Sequence, residues 1–377
     1  MDYEVLKFIW WVLVGVLLIG FAIMDGYDLG TANLLPFITK NDTERRIMIN
    51  AIAPHWDGNQ VWLITAGGAL LAAWPSVYAT AFSGFYWAMV LTLYSLLIRP
   101  MALDYRSKIE DPRWRNAWDW GLFASGMVPS LVFGVAFGNF FSGFAFELDE
   151  MMRSSFTGSF FDLLHPFALL CGLVSVSMLT MQGAVWQKLR SDEPIRQRAA
   201  LVSRYTAIAT LVTFTLAGLW VANLDGYVIS SVIDTNSPAN PLTKTVEVVA
   251  GGWLNNYSLY PVMIIAPVMA FAGALGVLAL SGTNKDGLGF ICSSLTQAGV
   301  ILTAGFSLFP FVLTSSINPS MSFTLWDGAS SYRTLAIMTG AAAVFVPIIL
   351  GYTTWCFYKM WGRVTAEHIA QKSHQLY

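Results

Sequence analysis

The feature that most constrains this chain is a series of apolar runs, each about as long as the 20 residues that an α-helix needs to cross a bilayer. The runs lie at 8–31, 52–75, 77–99, 118–142, 161–186, 200–222, 258–281, 288–313 and 333–357. Only 12% of the 377 residues are charged, whereas a soluble domain carries about 25%. The sequence therefore predicts an all-α integral membrane protein with nine transmembrane helices.

Lysine and arginine give the predicted helices an orientation, because cytoplasmic loops are enriched in these residues. The connections after the first, third, fifth and seventh runs, together with the C-terminal tail, hold 17 of the 21 Lys and Arg residues. The opposite side holds only Lys7, Arg153, Lys244 and Arg333. We therefore expect a periplasmic N-terminus and a cytoplasmic C-terminus. The first run lacks the pattern of a cleavable signal and is expected to be a retained helix.

The second run differs from the others because its beginning is polar. Four polar residues lie within six positions: His55, Asp57, Asn59 and Gln60. An ionised carboxylate near the bilayer centre costs about 2.5–3.5 kcal/mol on insertion scales, so this clustering requires a reason. On a helix, His55, Asn59 and Trp62 share one face, and Asp57 lies on a neighbouring face.

Four further ionisable side chains are predicted at the cytoplasmic depth of this polar segment. Asp25 and Asp28 lie one helical turn apart near the inner end of the first helix, Arg99 ends the third, and Asp119 begins the fourth. Because acids, histidine and amides one turn apart can pass protons through water, one hypothesis is a proton relay. The candidate carriers are Asp57, Asp25, Asp28, Asp119 and His55, and the candidate lining or structural residues are Arg99, Trp62, Asn59 and Gln60.

A structural role is the alternative for the same residues. An ion pair of Arg99 with Asp28 or Asp57 would neutralise the charges without any proton transfer, and Asp57 alone could cap its helix. Arginine at the inner end of a helix commonly extends to the headgroups, which favours a structural role for Arg99. Trp62 could gate a proton path, although a tryptophan at such a position more often packs against a neighbour.

Histidine restricts the cofactors that the chain could hold. His368 and His374 belong to the polar tail, and His55 and His165 are predicted near opposite membrane surfaces, so these two cannot ligate one haem together. A haem with a single histidine ligand stays open at either position. Four histidines are too few for a multi-haem or copper–haem centre. No catalytic residue or metal ligand is therefore assigned in this chain, and no pattern indicates nucleic-acid binding.

The sequence resembles subunit II of the cytochrome bd-type ubiquinol oxidases, which are membrane terminal oxidases of bacteria. The resemblance extends through essentially the whole chain. It is most specific at four segments: Glu44-Arg-Arg-Ile-Met-Ile-Asn, Pro54-His-Trp-Asp-Gly-Asn-Gln-Val-Trp-Leu, Ala79-Thr-Ala-Phe-Ser-Gly-Phe-Tyr and Phe133-Gly-Val-Ala-Phe-Gly-Asn. These segments match the family in order and spacing.

The resemblance implies an architecture in four parts. They are a first four-helix bundle at 1–142, a periplasmic loop at 143–160, a second four-helix bundle at 161–313, and a peripheral ninth helix with a cytoplasmic tail at 314–377. It also implies a partner, the haem-bearing subunit I, which would hold haem b and haem d, and a very small single-helix subunit. We expect the complex in the bacterial inner membrane.

The family also implies what such a complex does. It would oxidise ubiquinol and reduce oxygen to water, generating a proton motive force without pumping. This chain would scaffold subunit I, bind a ubiquinone structurally and deliver protons from the cytoplasm past Asp57, with Trp62 and Arg99 nearby.

Two hypotheses from other classes remain open at this point. A proton-coupled secondary transporter would also contain buried aspartate and arginine. Its binding site would form where interrupted helices of two repeats meet at mid-membrane, whereas these charges gather at one depth in the first four helices. A purely structural subunit without any role in proton transfer is the other hypothesis.

Overall fold

The computed structural model describes residues 1–371, so Lys372 and His374 lie outside the described residues. This part of the chain contains thirteen α-helices. They are α1 Tyr3–Ile38, α2 Asp42–Asn50, α3 Trp56–Ala73, α4 Pro75–Gly84, α5 Tyr86–Tyr105, α6 Pro112–Ser142, α7 Pro166–Arg190, α8 Ile195–Val221, α9 Asn255–Leu259, α10 Ile265–Leu280, α11 Asp286–Leu308, α12 Tyr332–Lys359 and α13 Ala366–Gln371.

Eight helical segments of the described chain are long and apolar enough to cross a membrane: Tyr3–Ile38, Tyr86–Lys108, Pro112–Ser142, Pro166–Arg190, Ile195–Val221, Pro261–Leu280, Asp286–Leu308 and Tyr332–Lys359. They confirm the prediction of a helical membrane protein. The second predicted run forms α3, whose 18 residues begin with polar turns and are less apolar than the other eight segments. The total of nine transmembrane helices stays a prediction.

The third predicted run, 77–99, is wrong as a single helix, because the structure divides it between α4 and α5. Phe85 interrupts the helix with φ −90° and ψ 19°. Its buried ring packs against the ring of Phe144 in the next connection, with centroids 5.1 Å apart. Hydropathy alone could not reveal this break, because it depends on an aromatic contact between distant parts of the chain.

Six short strands form three antiparallel pairs on the predicted periplasmic side, and one of them, β5, lies within the predicted run 288–313, because α11 ends at Leu308. The pairs are β1 Phe146–Leu148 with β2 Ser154–Phe156, β3 Asp225–Ile229 with β4 Val246–Ala250, and β5 Phe311–Leu313 with β6 Phe323–Thr324. The connections also contact one another, since the hydroxyl of Tyr227 donates to the carbonyl of Ser315 at 2.8 Å. The expectation of a purely helical chain did not include these strands.

Helix α1 lies at the centre of the fold, where it packs against α3 and α6 and also against α7 and α11. Helix α5 packs on α6, while α8 and α10 pack on α7 and α11. Helix α12 contacts α1 and α3, but only 6% of its most apolar segment is buried. The long helices therefore form two sides of the fold, with α3, α5 and α6 on one side of α1 and α7, α8, α10 and α11 on the other. The two sides are joined mainly by the contacts of α1 with both and by the contact of α6 with α7.

An ion pair joins the two sides at the predicted cytoplasmic surface. Arg198 of α8 donates to both carboxylate oxygens of Glu44 in α2, each at 2.8 Å. These hydrogen bonds hold the pKa of Glu44 below its usual range. The Asn41 side chain caps α2 by accepting a hydrogen bond from the Glu44 backbone at 2.9 Å.

Two glycines allow α1 and α7 to approach closely. A Cβ added at Gly30 would overlap the carbonyl oxygen of Leu179, and a Cβ added at Gly183 would overlap the backbone of Gly30 and Thr31. Small residues at such crossings let two helix backbones meet without intervening side chains. The contact between the two sides of the fold therefore requires glycine at both positions.

We predict that Gly183→Ala destabilises the chain by about 1–3 kcal/mol, because the added methyl group must displace the α1 backbone. The measurement is the midpoint of thermal unfolding of the purified membrane protein. Gly15→Ala is the matched control, because a Cβ at Gly15 of α1 meets nothing within 4 Å. Equal midpoints for the two variants would contradict the close approach.

Candidate functional site

Asp25 of α1 and Arg99 of α5 form a buried ion pair. Arg99 Nη1 lies 2.5 Å from Asp25 Oδ1, and the two side chains are 1% and 0% exposed. The prediction that Arg99 pairs with Asp28 or Asp57 is therefore wrong, as is the expectation that it extends to the headgroups. Burial of both charges favours the pair over either group alone, since an unpaired ion in this region would lose its hydration without compensation.

Asp28 lies in a small polar cluster with Asn59 of α3 and Tyr27 of α1. The Asn59 amide donates to Asp28 Oδ2 at 2.8 Å and to the Tyr27 hydroxyl at 2.7 Å. Asp28 Oδ1 is buried and has no hydrogen-bond partner among residues 1–371. Buried polar atoms are normally satisfied, so this oxygen is a position where a water or a proton would bind.

Asp119 of α6 belongs to a separate network at the cytoplasmic end. Its Oδ1 lies 2.6 Å from Arg106 Nε, and its Oδ2 lies 2.7 Å from Arg45 Nη1. Asp42 extends the network by pairing with Arg106 and Arg115, each at 2.8 Å. Because both oxygens of Asp119 contact guanidinium groups, the geometry favours a structural ion-pair role for this residue.

Asp57 is exposed. Further exposed residues follow it at intervals of three or four positions, which places them on the same face of α3. We call this set the open face of α3: Asp57, Val61, Ile64, Gly68 and Leu71. A Cβ added at Gly68 would meet nothing within 4 Å. The rest of the described chain therefore leaves this face uncovered.

The remaining predicted residues of α3 serve mainly in packing. His55 is buried and its ring stacks on Phe357 of α12, with centroids 4.1 Å apart. Trp62 packs so closely over α1 that a Cβ at Gly20 would overlap its ring. Gln60 is half-buried beside the open face.

The sequence predicted the faces of α3 correctly, because Asn59 is buried, Trp62 is half-buried and Asp57 is exposed. The predicted convergence of all the charged groups on one site is only partly found. Asp25, Asp28 and Arg99 come together, whereas Asp119 contacts Arg45 and Arg106, and Asp57 is exposed. Sequence reasoning missed Tyr27, although it lies between the two acids of the first helix.

His55 and His165 each contact a neighbouring group in the described chain. The Phe357 ring covers the imidazole face of His55, and His165 Nδ1 accepts a hydrogen bond from the Ala168 backbone at 3.3 Å as it caps α7. Burial lowers the pKa of His165. Among residues 1–371 no group of three or more His, Cys, Asp and Glu side chains is placed to hold a metal ion.

Fold and site together define a helical membrane protein with paired charges inside and one uncovered acid on α3. Comparisons with known proteins agree with this class. The family model described as "Cytochrome bd terminal oxidase subunit II" matches residues 6–360. The chain is 54% identical over 377 residues to "Cytochrome bd-I ubiquinol oxidase subunit 2" of Escherichia coli K12, covering 100% of both chains.

A more distant relative and a solved structure are also similar to the chain. The chain is 30% identical over 361 residues to "Cytochrome bd ubiquinol oxidase subunit 2" of Bacillus subtilis 168, covering 95% of this chain and 96% of the relative. Its fold matches a chain of the bd oxidase structure from Geobacillus thermodenitrificans with a TM-score of 0.70 at 16% identity, covering 95% and 100% of the two chains.

The chain belongs to the cytochrome bd terminal oxidase subunit II family. It is a subunit of a cytochrome bd ubiquinol oxidase, an oxidoreductase complex of the bacterial inner membrane. The resemblance seen in the sequence and the prediction of an oxidase subunit are confirmed.

We predict that Asp25→Asn and Arg99→Gln each destabilise the protein by about 3–5 kcal/mol, because each leaves an uncompensated buried charge or donor. The double variant removes both charges and should recover part of this loss. The measurement is thermal unfolding of the purified complex.

Asp149→Asn is the control for this experiment, because it breaks an ion pair with Arg153 in which both side chains are largely exposed. It should leave the unfolding midpoint unchanged. Single variants at Asp25 and Arg99 that match the wild type would contradict the importance of the buried pair.

Proposed function

We propose that this chain is the scaffold and the proton-delivering subunit of a quinol:oxygen oxidoreductase. The complex oxidises ubiquinol, reduces oxygen to water and generates a proton motive force without pumping. The observation that carries this proposal is the position of Asp57, which is exposed on a face of α3 that the rest of the described chain does not cover.

The composition of the open face of α3 supports an interface with subunit I. It combines an acid, a glycine and medium-sized apolar side chains, and small residues of this kind let a neighbouring helix approach closely. The exposed side of α12 is different, since it presents large apolar residues such as Phe345, Ile348 and Trp355. That composition suits contact with lipid. We therefore place subunit I on α3 and lipid on α12.

Protons would enter from the cytoplasm and reach Asp57 along this interface, because α3 begins at the predicted cytoplasmic surface. Asp28 is the second candidate carrier, since its Oδ1 is buried without a partner in residues 1–371. Asp25 and Asp119 contact guanidinium groups directly, so we assign them to stabilisation of the fold. His55 and Trp62 line the region through their packing contacts.

The cofactors of the proposed complex belong to subunit I. Haem b and haem d require axial ligands, and His55 and His165 of this chain are engaged in packing and helix capping. This chain would bind a ubiquinone structurally, and a very small single-helix subunit would complete the complex.

The proposed topology includes α3 as a transmembrane helix, which raises the total from eight to nine. The distribution of Lys and Arg supports a periplasmic N-terminus and a cytoplasmic C-terminus. Helices α1, α3, α5 and α6 would form one bundle and α7, α8, α10 and α11 a second, with α12 at the periphery.

We expect Asp57→Asn to slow ubiquinol-driven oxygen consumption by at least about tenfold while leaving the haem spectrum of the complex intact. The expected loss is smaller than the ~10²–10⁴-fold contribution of a positioned proton-transfer group, because water can bypass one carrier. The measurement compares turnover per haem in purified complexes.

Asp104→Asn is the control variant, because Asp104 is another exposed acid near the predicted cytoplasmic surface but lies on α5. It should retain wild-type turnover. An Asp57→Asn complex with normal turnover would favour a purely structural subunit, and a complex without haem would show that the residue serves assembly.

We also predict that Gly68→Ile prevents co-purification of the haem-bearing subunit, since the larger side chain would hold a helix of subunit I away from α3. The measurement is the ratio of the two subunits after affinity purification. Gly340→Ile is the matched control, because Gly340 of α12 is also exposed with nothing within 4 Å of an added Cβ. Normal assembly of the Gly68 variant would place the interface elsewhere.

A further inference from the structure

A cavity of about 360 Å³ lies at the predicted cytoplasmic ends of α7 and α11. The side chains that matter for its chemistry are Arg190, Asn284, Asp286, Trp361 and Arg363, and the backbone of Gly287 also lines it. The proposed proton path does not use this cavity.

Arg190 is the principal polar group of the cavity. Its side chain is only 4% exposed and its guanidinium lies over the rings of Trp186 and Trp361, at 5.5 and 5.2 Å from their centroids. Nη2 donates to the carbonyl of Met360 at 2.8 Å. Nε and Nη1 are buried and have no hydrogen-bond partner among residues 1–371. Unpartnered donors on a buried cation are unfavourable, which indicates that an acceptor belongs here.

The charge around the cavity is positive even though Asp286 contributes to its lining. Three cations neutralise that one carboxylate: Lys188 at 3.3 Å, Arg196 at 3.0 Å and Arg363 at 2.9 Å. Arg190 adds a further positive charge that contacts none of the described acids. The surroundings therefore favour an anionic ligand over a neutral or cationic one.

The first turn of α11 supplies a second set of donors. This helix of 23 residues begins at Asp286, and the side chain of the preceding Lys285 makes no capping hydrogen bond. Gly287 lines the cavity, and a Cβ at this position would meet nothing within 4 Å. Lys188 holds the connection before the helix by donating to the carbonyls of Leu280 and Thr283, each at 2.9 Å. Backbone amides at a helix N-terminus bind phosphate oxygens well.

We propose that this cavity binds a phosphate group, with Arg190, Arg363 and the first-turn amides of α11 as its donors. Guanidinium groups suit phosphate because their fixed N–H groups can contact two oxygens at once. The phosphate comes either from an anionic phospholipid of the inner leaflet or from free phosphate in the cytoplasm. Trp361, which is 59% exposed beside Arg190, is the type of residue found at headgroup level.

The test uses the intact purified complex after removal of loosely bound lipid. In one arm the complex is titrated with a short-chain phosphatidylglycerol, and in the other with inorganic phosphate, and binding is measured by native mass spectrometry and calorimetry. If phosphatidylglycerol binds and millimolar phosphate does not displace it, the result supports the phosphate group of a lipid as the ligand. Binding of inorganic phosphate that competes with the lipid supports free phosphate.

Arg190→Gln and Arg363→Gln should each weaken binding by about tenfold or more, because each removes a charged hydrogen-bond donor. Arg196→Gln is the matched control for Arg363→Gln, since both arginines contact Asp286 but only Arg363 lines the cavity. The control should stay within about twofold of the wild type. If the variant at the buried Arg190 fails to assemble, Arg363→Gln still tests the proposal.

Two results would overturn the proposal. One is a wild-type complex that binds neither probe. The other is equal binding by the wild type, Arg363→Gln and Arg196→Gln, which would show that the arginines only neutralise Asp286.

Discussion

The removal of charges from water is the constraint on which this structure depends. Asp25 and Arg99 meet this constraint by pairing with each other, and Asp119 meets it by contacting Arg45 and Arg106. These acids therefore stabilise contacts between helices, since removing one partner of a buried ion pair leaves the other charge uncompensated. Within residues 1–371, the other two candidate acids have no guanidinium partner of this kind. Asp28 has one unpartnered oxygen among these residues, and Asp57 is exposed.

The packing of the helices explains why Asp57 differs. Helix α1 occupies the centre of the fold, and its contact with α7 requires the glycines at positions 30 and 183. Helix α3 packs against α1 with its buried face, which places Asn59 beside Asp28. The opposite face, which is the open face of α3, then lies on the surface of the subunit. An exposed acid on such a face is unfavourable in lipid, whereas it has a clear role where a second subunit supplies the other wall of a proton path.

Much of this arrangement could be predicted from the sequence. Apolar runs located the membrane helices, and helical spacing separated Asp57 from Asn59 correctly. The pairing of Asp25 with Arg99 could not be predicted, because the two residues are 74 positions apart and their contact depends on how α1 and α5 pack. The break at Phe85 and the short strands also depend on contacts between connections that hydropathy does not register.

The central claim is that Asp57 carries protons while the buried pair of Asp25 and Arg99 stabilises the fold. Proton uptake from the cytoplasmic side, recorded after an oxygen pulse in vesicles that contain the complex, tests this claim most directly. We expect Asp57→Asn to slow uptake, and the double variant Asp25→Asn with Arg99→Gln to take up protons at the wild-type rate per assembled complex. Normal uptake by the Asp57 variant together with slow uptake by the double variant would contradict the account.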